Sequence, residues 1–405
     1  MMLSRWIKSL GKKLDLMGKG LIEIVYDKRQ DVPARIIAFF LKGLSYIFKA
    51  IVKARYFLYD KRVFKDNYLG CLVIVVGNLT VGGTGKTPVV EKIARELTAS
   101  GKKVAILSRG YKSKSDGFFT KLKNYFTHGE VSPPKVVSDG ETVFLDSLVA
   151  GDEPYMLARN LKGVAVVVDK NRVKAGHFAV KNFGVDVLIL DDGFQYLPLK
   201  GQLQVLLVDK TNPFGNKHLL PRGILREPVS HLKRASYVLL TKSDGNRDMP
   251  LENFIRKYNK SAEMIECEHS IQYLLNFHTN ERAEMSIMKR QDIACFSAIA
   301  VPEGFEKFLV REQANIVHKE RFLDHHRFTQ LELDDFFAEA KENGAKFVVT
   351  TEKDAVRIAK DYKTPIPLYF TKLDINILSG DKDFSHLVDR ICSKTSINSK
   401  NTKNL

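Results

Sequence analysis

The stretch that decides the fold is Val73-Ile-Val-Val-Gly-Asn-Leu-Thr-Val-Gly-Gly-Thr-Gly-Lys-Thr87. Its β-branched apolar run ends at Gly77, a glycine-rich turn follows, and an apolar pattern with helical spacing covers residues 89–97. A strand, a glycine-rich turn and a helix in this order form a phosphate-binding loop, because the backbone N–H groups of the turn and the positive end of the helix dipole both attract anions. The stretch therefore predicts nucleotide binding; the alternative is a glycine turn that binds no ligand.

The residue types within this loop suit a magnesium-bound triphosphate. Lys86 would reach the β- and γ-phosphates, and Thr87 would offer its hydroxyl to Mg²⁺. The usual loop has a glycine five residues before its Gly-Lys pair, where this chain has Thr80. The residues predicted to surround the phosphates are Thr80, Gly82, Gly83, Thr84, Gly85, Lys86 and Thr87.

The length and composition of the chain are those of a folded protein with more than one domain. Its 405 residues exceed the comfortable size of one hydrophobic core, and 44% of them are hydrophobic. The four cysteines have no paired spacing, so they indicate neither a zinc site nor a disulfide framework. This cysteine usage fits a reducing cytosol.

The segment before the loop is basic and apolar. Residues 1–66 hold 15 Lys and Arg against 6 Asp and Glu, a net charge of +9 within the formal +17 of the chain. The apolar run at residues 36–41 is too short to span a bilayer, and no signal-peptide cleavage site follows it. Apolar residues among Lys and Arg at helical spacing predict a helix in the interface of an anionic membrane. The alternative is a helix packed on the protein's own core, and nucleic acid is a weaker choice because no binding motif accompanies the charge.

Two carboxylates follow a buried strand further along the chain. Residues 164–168 and 185–190 are continuous apolar runs, as expected for strands of a parallel sheet that is covered on both faces. The second run leads directly into Asp191-Asp-Gly-Phe-Gln195. Carboxylates at the end of such a strand, Asp192 in particular, are what a Mg²⁺–nucleotide site needs opposite a phosphate-binding loop. The alternative is that these aspartates only cap the next turn.

The rest of the chain also alternates strands and helices, as in an α/β protein. Strands are predicted at residues 293–296 and 347–350, and helices at residues 141–150, 304–311 and 331–343. Thr351-Glu-Lys-Asp354 follows the last of these strands and suggests no role by itself. We predict four parts, namely a basic amphipathic N-terminal segment (1–66), a nucleotide-binding core (67–243), a C-terminal α/β domain (244–392) and a disordered tail (393–405).

Six short motifs occur in the order that one known family shows. The chain resembles the tetraacyldisaccharide 4'-kinases, the lipid A 4'-kinases of Gram-negative-type bacteria, from about residue 44 to about residue 359. Each motif alone is weakly specific, but their co-occurrence is highly specific, and threonine at position 80 is normal in that family. The motifs are Thr80-Val-Gly-Gly-Thr-Gly-Lys-Thr87, Ser108-Arg-Gly-Tyr111, Gly151-Asp-Glu-Pro154, Asp191-Asp-Gly-Phe-Gln195, Leu225-Arg-Glu-Pro228 and Asp324-His-His326.

The resemblance implies a P-loop type of α/β fold, with a mostly parallel sheet, helices on both faces, a smaller second α/β domain and an N-terminal membrane-associating helix. It implies transfer of the γ-phosphate of ATP, with Mg²⁺, to the 4'-hydroxyl of a tetraacyl glucosamine disaccharide 1-phosphate. The reaction would take place at the cytoplasmic face of the inner membrane, with the protein bound peripherally.

The resemblance also implies roles for single residues. Asp152 is the candidate base, and His325, preferred to His326, is its partner. Glu153 joins Asp192 and Thr87 as a candidate Mg²⁺ ligand. The other site residues that it implies are Asp191, Gln195, Arg109, Arg226 and Glu227.

Two other classes of protein share part of this pattern. Membrane-associated P-loop ATPases that act as switches or positioning proteins also combine the loop with an amphipathic helix. They carry a lysine directly before the two glycines, however, where this chain has Val81. A GTPase would read guanine with Thr241-Lys-Ser-Asp244, but the first residue there is Thr instead of Asn. Both differences favour the kinase.

Overall fold

The computed structural model describes residue 18, residues 20–110 and residues 133–401, with side chains as far as residue 393; Tyr111 of the second motif lies outside the described residues. Within this part of the chain, thirteen strands form one sheet. They are β1 (Leu72–Asn78), β2 (Val104–Ser108), β3 (Lys135–Ser138), β4 (Val164–Val168), β5 (Val187–Leu190), β6 (Leu203–Asp209), β7 (Tyr237–Thr241), β8 (Glu263–Asn276), β9 (Arg282–Ala283), β10 (Asp292–Ser297), β11 (Asn315–Arg321), β12 (Phe347–Thr351) and β13 (Leu368–Ser379).

The strand that leads into the phosphate-binding loop lies inside this sheet. The strand order is β11-β10-β12-β13-β8-β7-β6-β1-β5-β2-β4-β3, and β9 pairs with β8. The β3–β4, β8–β9 and β8–β13 pairs are antiparallel, and the other pairs are parallel. Val75 of β1 lies opposite Leu190 of β5. The residues that follow these two strands therefore meet at the same edge of the sheet.

Helices cover both faces of the sheet, so the predicted fold class is confirmed. The helix predicted at residues 141–150 is wrong over most of its length, because only its last four residues are helical and Asp146 caps them through Val149 N. Besides a helical segment at residues 20–25, the α-helices of the described residues are α1 (Val32–Asp60), α2 (Lys86–Ala99), α3 (Ser147–Ala150), α4 (Asp152–Asn160), α5 (Arg172–Phe183), α6 (Met249–Tyr258), α7 (Pro302–Arg311), α8 (Gln330–Glu342), α9 (Glu352–Ala355) and α10 (Asp381–Asn401).

The apolar run of β1 is continuous because both of its faces are buried. Ile74 packs in the same core cluster as Ile93 of α2, on one face of the sheet. Val75 packs on the other face, in the cluster that contains Ala179 of α5. Alternate side chains of one strand thus belong to two cores, which is the arrangement that a doubly covered parallel sheet requires.

The N-terminal segment forms a long helix that rests on the core by one side. Ser45 of α1 is buried, and its hydroxyl donates to the carbonyl of Leu219 at 2.7 Å. Before α1, Asp27 forms an ion pair with Arg222, so the chain ahead of the helix also contacts the loop after β6. Among the residues described, no helix has the length and apolar character needed to cross a membrane.

The sheet continues across the predicted domain boundary at residue 244. β7 precedes the boundary and β8 follows it, yet they are parallel neighbours, with Leu239 opposite Ile265. Leu387 of α10 joins the core cluster that contains Ile74 of β1. The predicted disordered tail begins inside α10, whose backbone is helical as far as Asn401. The division into two domains stays a prediction.

Candidate active site

The phosphate-binding loop has the backbone that its glycines permit. Gly85 caps the N-terminus of α2 with a φ of +77°, in the left-handed region that disfavours other residues. A Cβ at Gly85 would lie 1.9 Å from Cε1 of His269, so the imidazole occupies the space where a side chain would be. Thr84 is buried beside it, and its carbonyl accepts a hydrogen bond from Oγ1 of Thr241 at 2.9 Å. Strand β7 thus contacts the loop through the side chain of Thr241.

The Leu225-Arg-Glu-Pro228 motif holds the start of the same loop. The backbone N–H of Val81 donates to the carbonyl of Ile224 at 2.7 Å, and that of Arg226 donates to the carbonyl of Leu79 at 2.7 Å. Thr80 is buried between these bonds and forms a β-bridge with Leu225. Backbone pairing therefore places the side chain of Arg226 beside the phosphate-binding loop.

The turn after β5 places Asp192 beside the side chains of Lys86 and Arg226. Nη1 of Arg226 lies 3.0 and 2.9 Å from the two carboxylate oxygens of Asp192, and Nζ of Lys86 lies 3.5 Å from Oδ1. Burial opposes the ionisation of Asp192, but Lys86 and Arg226 hold its pKa below the ordinary value. Asp192 is therefore an ionised carboxylate that faces the predicted phosphate position.

Asp191 has a different environment from its neighbour. Its Oδ2 accepts a hydrogen bond from Ser108 at 3.4 Å, while its buried Oδ1 has no hydrogen-bond partner among the described residues. Burial, reinforced by the charges of Glu153 and Asp192, raises the pKa of Asp191 to about 7. Such a group gains from a nearby cation, because a positive charge would offset both the burial and the repulsion.

Asp152 lies at the N-terminus of α4 and receives side chains from the last part of the sheet. Its Oδ1 lies 3.0 Å from Nη2 of Arg327, and its Oδ2 lies 2.9 Å from Nε of Arg357 and 3.3 Å from Nδ1 of His325. Burial opposes ionisation, but the hydrogen bond with His325 and the charges of both arginines hold the pKa of Asp152 below its ordinary value. Asp152 is therefore an oriented, ionised acceptor.

The two neighbouring histidines have different contacts. His325 adopts a φ of +64°, which is unusual for a residue other than glycine, and its ring reaches Asp152. His326 turns to Glu332 in the first turn of α8, with Nε2 3.0 Å from Oε2. Of the pair, His325 lies on the carboxylate that the resemblance names as the base.

Glu153 faces the same centre as Lys86 and Asp192. Its Oε1 accepts a hydrogen bond from Nζ of Lys353 at 2.7 Å. Burial opposes its ionisation, but the charges of Lys353 and Lys86 outweigh burial and the repulsion from Asp192, and hold the pKa of Glu153 below the ordinary value. Three carboxylates, those of Glu153, Asp191 and Asp192, are thus close enough to influence one another's ionisation.

The remaining predicted site residues lie at the same edge of the sheet. Gln195 donates from Nε2 to the carbonyl of Asn78 at 2.9 Å, and its Oε1 lies 3.4 Å from Nη1 of Arg226. Glu227 is buried and contacts α1 through Tyr56, at 2.7 Å from its hydroxyl. Arg109 follows β2, the neighbour of β5, and its side chain is exposed.

Sequence reasoning missed several residues that the fold brings to this site. Asn78 is fully buried at the end of β1, and its Oδ1 accepts from Nζ of Lys86 at 3.4 Å. Lys353 and Arg357 come from α9 and the turn after it, and Arg327 directly follows the two histidines. The signal for Lys353 was its place just after a buried strand, but nothing in the sequence tells that β12 approaches α4.

The oxygen-rich centre fits a magnesium-bound nucleotide. Asp191 Oδ1 and Thr84 Oγ1 are both buried without a hydrogen-bond partner among the described residues, and Thr84 belongs to the loop itself. Carboxylate and hydroxyl oxygens are the ligands that Mg²⁺ prefers, together with phosphate oxygens. In the described part of the chain no three His, Cys, Asp or Glu side chains form a ready metal cage. A site that depends on phosphate oxygens for part of its coordination is consistent with both findings.

Residues 37–393 match the family described as LpxK, tetraacyldisaccharide-1-P 4'-kinase. The tetraacyldisaccharide 4'-kinase of Anaeromyxobacter dehalogenans (strain 2CP-C) is 40% identical over 315 residues, which are 77% of this chain and 79% of the relative. That of Halothermothrix orenii is 30% identical over 401 residues, which are 95% of this chain and 100% of the relative.

A solved structure agrees with these relatives. The crystal structure described as the "apo" form of LpxK from Aquifex aeolicus in complex with ATP superposes with a TM-score of 0.69 at 30% sequence identity. The match covers 88% of this chain and 99% of the other. The match of the family over most of the chain, together with this shared fold, shows that the chain belongs to the family of tetraacyldisaccharide-1-P 4'-kinases.

Proposed function

We propose that this chain transfers the γ-phosphate of ATP to the 4'-hydroxyl of a tetraacyl glucosamine disaccharide 1-phosphate, a step of lipid A biosynthesis. The observation that carries the proposal is the convergence of Lys86, Asp192 and Glu153 at the edge of the sheet where the phosphate-binding loop begins α2. The LpxK of Aquifex aeolicus was crystallised with ATP, and the loop of this chain suits the same nucleotide.

The nucleotide would be held mainly by the loop. Backbone N–H groups at the N-terminus of α2 would contact phosphate oxygens, and Lys86 would neutralise the charge that develops on the transferred group. Nζ of Lys86 lies 3.5 Å from Oδ1 of Asp192 and 3.4 Å from Oδ1 of Asn78, so its ammonium group is at the end of β1 beside the loop. Mg²⁺, bound by Asp192, Glu153 and the hydroxyl of Thr87, would offset phosphate charge and align the phosphates.

Asp152 is the proposed base for the acceptor hydroxyl. A sugar hydroxyl is a weak nucleophile, and an ionised carboxylate within hydrogen-bond reach can accept its proton as the bond to phosphorus forms. Arg327 and Arg357 keep Asp152 ionised and oriented, but they also make it a weaker base. We therefore propose that His325, at 3.3 Å from the carboxylate, shares the proton.

The exposed side of α1 is the proposed contact with a membrane surface. Its outward face carries large apolar side chains, including Phe39 at 74% and Phe40 at 67% exposure. Arg35, Lys42 and Lys49 recur every seven residues, which is two helical turns, so they line one flank of this face. An apolar face with a basic flank suits the interface of an anionic bilayer, where an acylated acceptor would reside.

A phosphate-transfer assay tests the proposal against the switch-type ATPase. The protein would be incubated with γ-labelled ATP and a lipid A disaccharide 1-phosphate dispersed in detergent, and the label would be followed in lipid and in free phosphate. We expect label in the lipid. Label that appears only as free phosphate would support the ATPase and contradict the kinase assignment.

The loop variant Lys86→Ala tests the same proposal from the protein's side. Because Lys86 acts on the transferring phosphate and not on the core, we expect a folded protein whose transfer rate falls by about 100-fold or more. Circular dichroism would confirm the fold. Transfer close to that of the wild type would contradict the assignment of this loop.

A further inference from the structure

A buried polar cluster joins α1 to the turn that carries Asp191 and Asp192. The cluster consists of Tyr56, Glu227, His231 and Arg234, and is called the Glu227 cluster below. Glu227 is only 2% exposed. Its Oε1 accepts a hydrogen bond from Tyr56 at 2.7 Å, and its Oε2 lies 2.8 Å from Nδ1 of His231 and 3.1 Å from Nη1 of Arg234. The ring of Tyr56 also packs edge-on against His231, with 4.4 Å between centroids.

Arg234 carries this cluster to the turn after β5. Its Nη1 donates to the hydroxyl of Tyr56, and its Nη2 donates to the carbonyl of Phe194 at 2.8 Å. Its guanidinium also lies 4.1 Å from the centroid of the Phe194 ring and 5.0 Å from that of Tyr56. One side chain therefore contacts α1, the buried carboxylate and the backbone two residues after Asp192.

The turn has little freedom on its other sides. A Cβ at Gly77 would lie 2.6 Å from Cβ of Phe194, so Phe194 already rests directly on the backbone of β1. Arg226, the residue before Glu227, holds both carboxylate oxygens of Asp192. Residues 226 and 227 thus fix the turn at two points, one directly through Arg226 and one through Arg234.

We propose that Tyr56 and Arg234 are positioning residues for the Asp191–Asp192 turn. The position of α1 on the core would then determine where the two carboxylates lie relative to the phosphates. The inference rests on the proposed function. Helix α1 would then have a role besides membrane contact, because the hydroxyl of Tyr56 connects the helix to Glu227 beside the active site. A shift of α1 along the core would displace Glu227 and, through Arg234, Phe194.

Two conservative variants test this inference. Tyr56→Phe removes one hydroxyl, and Arg234→Lys keeps the positive charge but loses the planar group that spans Tyr56, Glu227 and Phe194. Their matched controls are Tyr59→Phe, which removes a hydroxyl from the same helix, and Arg247→Lys, whose partner Glu252 lies in an exposed ion pair. Binding of ATP would be measured by calorimetry with and without Mg²⁺, beside kcat, the KM of the lipid acceptor and the unfolding midpoint.

We expect both variants to weaken the binding of Mg²⁺–ATP by about tenfold, the cost of one hydrogen bond to a charged group, and to lower kcat. The affinity of both variants for ATP without Mg²⁺, and their KM for the lipid acceptor, should equal the wild-type values. The two control variants should equal the wild type in every measurement. These last readouts distinguish positioning of the carboxylates from a general loss of structure.

Two outcomes would overturn the inference. One is wild-type binding of Mg²⁺–ATP by Tyr56→Phe and Arg234→Lys. The other is an equal loss with and without Mg²⁺, together with a lower unfolding midpoint, because the cluster would then support the fold alone. If the wild type transfers no phosphate to lipid while the magnesium-dependent difference is present, the proposed function fails and the positioning role stands.

Discussion

The imidazole of His269 fills the space beside Gly85 at the start of α2. Burial, together with Lys242, lowers its pKa from 6.5 to about 4. The imidazole of His269 is therefore protonated near pH 6.5 in the unfolded chain, but only near pH 4 in the folded chain. The stability that neutral His269 provides is present above pH 6.5 and is lost as the pH falls towards 4.

The substitution His269→Phe keeps a ring of similar size and removes this titration. At about 1.4 kcal/mol per pKa unit, we expect the wild type to lose roughly 2 kcal/mol more than the variant between pH 7 and pH 5. Urea unfolding at each pH would measure the difference. The exposed His386, changed to Phe, is the control and should leave the wild-type pH dependence intact. Equal pH dependence in wild type and His269→Phe would contradict the prediction.

A double-mutant cycle tests whether Asp152 and His325 act as a unit. Asp152→Asn and His325→Ala should each lower kcat by about 100-fold with little change in ATP affinity, because both act on the acceptor proton. The double variant should cost far less than the product of the two losses. Fully multiplicative losses would argue for independent roles.

His326→Ala is the matched control for this cycle, because its ring contacts Glu332 and not Asp152. Its kcat should stay close to the wild-type value. An inactive His326→Ala beside an active His325→Ala would move the partner of the base by one residue.

The sequence predicted single site residues best where the residues of a motif are consecutive in the chain. The phosphate-binding loop could be read directly, because its strand, glycines and helix are consecutive. The two arginines that hold Asp152 could not be predicted, since Arg327 and Arg357 are far from it in sequence and their type alone suggests a surface charge. Tyr56 and Arg234 were missed for the same reason: no motif marks a residue that acts on another element.

Helix α1 makes a prediction of its own as an element. Its outward apolar side chains are exposed within the part of the chain that the structure describes, so replacing them with glutamine should cost little stability but should weaken binding to vesicles. We choose Phe39, Phe40, Ile47 and Ile51, each at least 60% exposed. Co-sedimentation with anionic vesicles should fall by about tenfold or more, with a smaller loss on neutral vesicles.

The control uses four equally exposed apolar residues on the other half of the sheet. Val301, Val310, Leu323 and Leu331, each changed to glutamine, should leave vesicle binding unchanged. Leu41 and Phe48 are left intact, because both are only half-exposed and Phe48 packs against the core. Unchanged co-sedimentation of the α1 variant at low and high salt would contradict a membrane role for this helix.

Most elements could be predicted from their patterns. The apolar runs became β4, β5, β10 and β12, because a strand covered on both faces needs no alternation of polar residues. The helix at residues 141–150 failed because Asp146 caps a new helix within the segment and the residues before it contact β3. A capping side chain outweighed a weak helical pattern there.

At the scale of the whole molecule, Arg357 connects the turn after α9 with α4, which belong to opposite halves of the sheet. Arg357 and Asp354 are both fully buried and paired at 2.9 Å, and Arg357 also holds Asp152 of α4. We expect Arg357→Met to destabilise the protein by roughly 3–5 kcal/mol, because it leaves the buried carboxylate of Asp354 without its arginine partner. Urea unfolding would measure the loss.

The double variant Arg357→Met, Asp354→Asn is the control for that mechanism. It removes the orphaned charge of Asp354, so part of the lost stability should return. A single variant as stable as the wild type would contradict the role of Arg357 as the cation that stabilises buried Asp354.

The continuity of the sheet was the least predictable feature. The domain boundary predicted at residue 244 coincides with residues 244–250, which are mostly polar and contain Gly and Pro, as linkers do. Pairing of β7 with β8 is a long-range choice that no local pattern encodes. For the same reason the approach of α9 to α4 is visible only in the structure, where Nζ of Lys353 in α9 donates to Oε1 of Glu153 in α4 at 2.7 Å.

The holding of Asp152 by Arg327 and Arg357 has a consequence for the order of synthesis. During translation the phosphate-binding loop leaves the ribosome long before either arginine does. A nascent chain that already contains β1, β5 and the loop between β1 and α2 still lacks both arginines that hold Asp152, the proposed base. The contacts that hold Asp152 therefore form only after residues near 357 have emerged, and we expect phosphate transfer to begin no earlier than that.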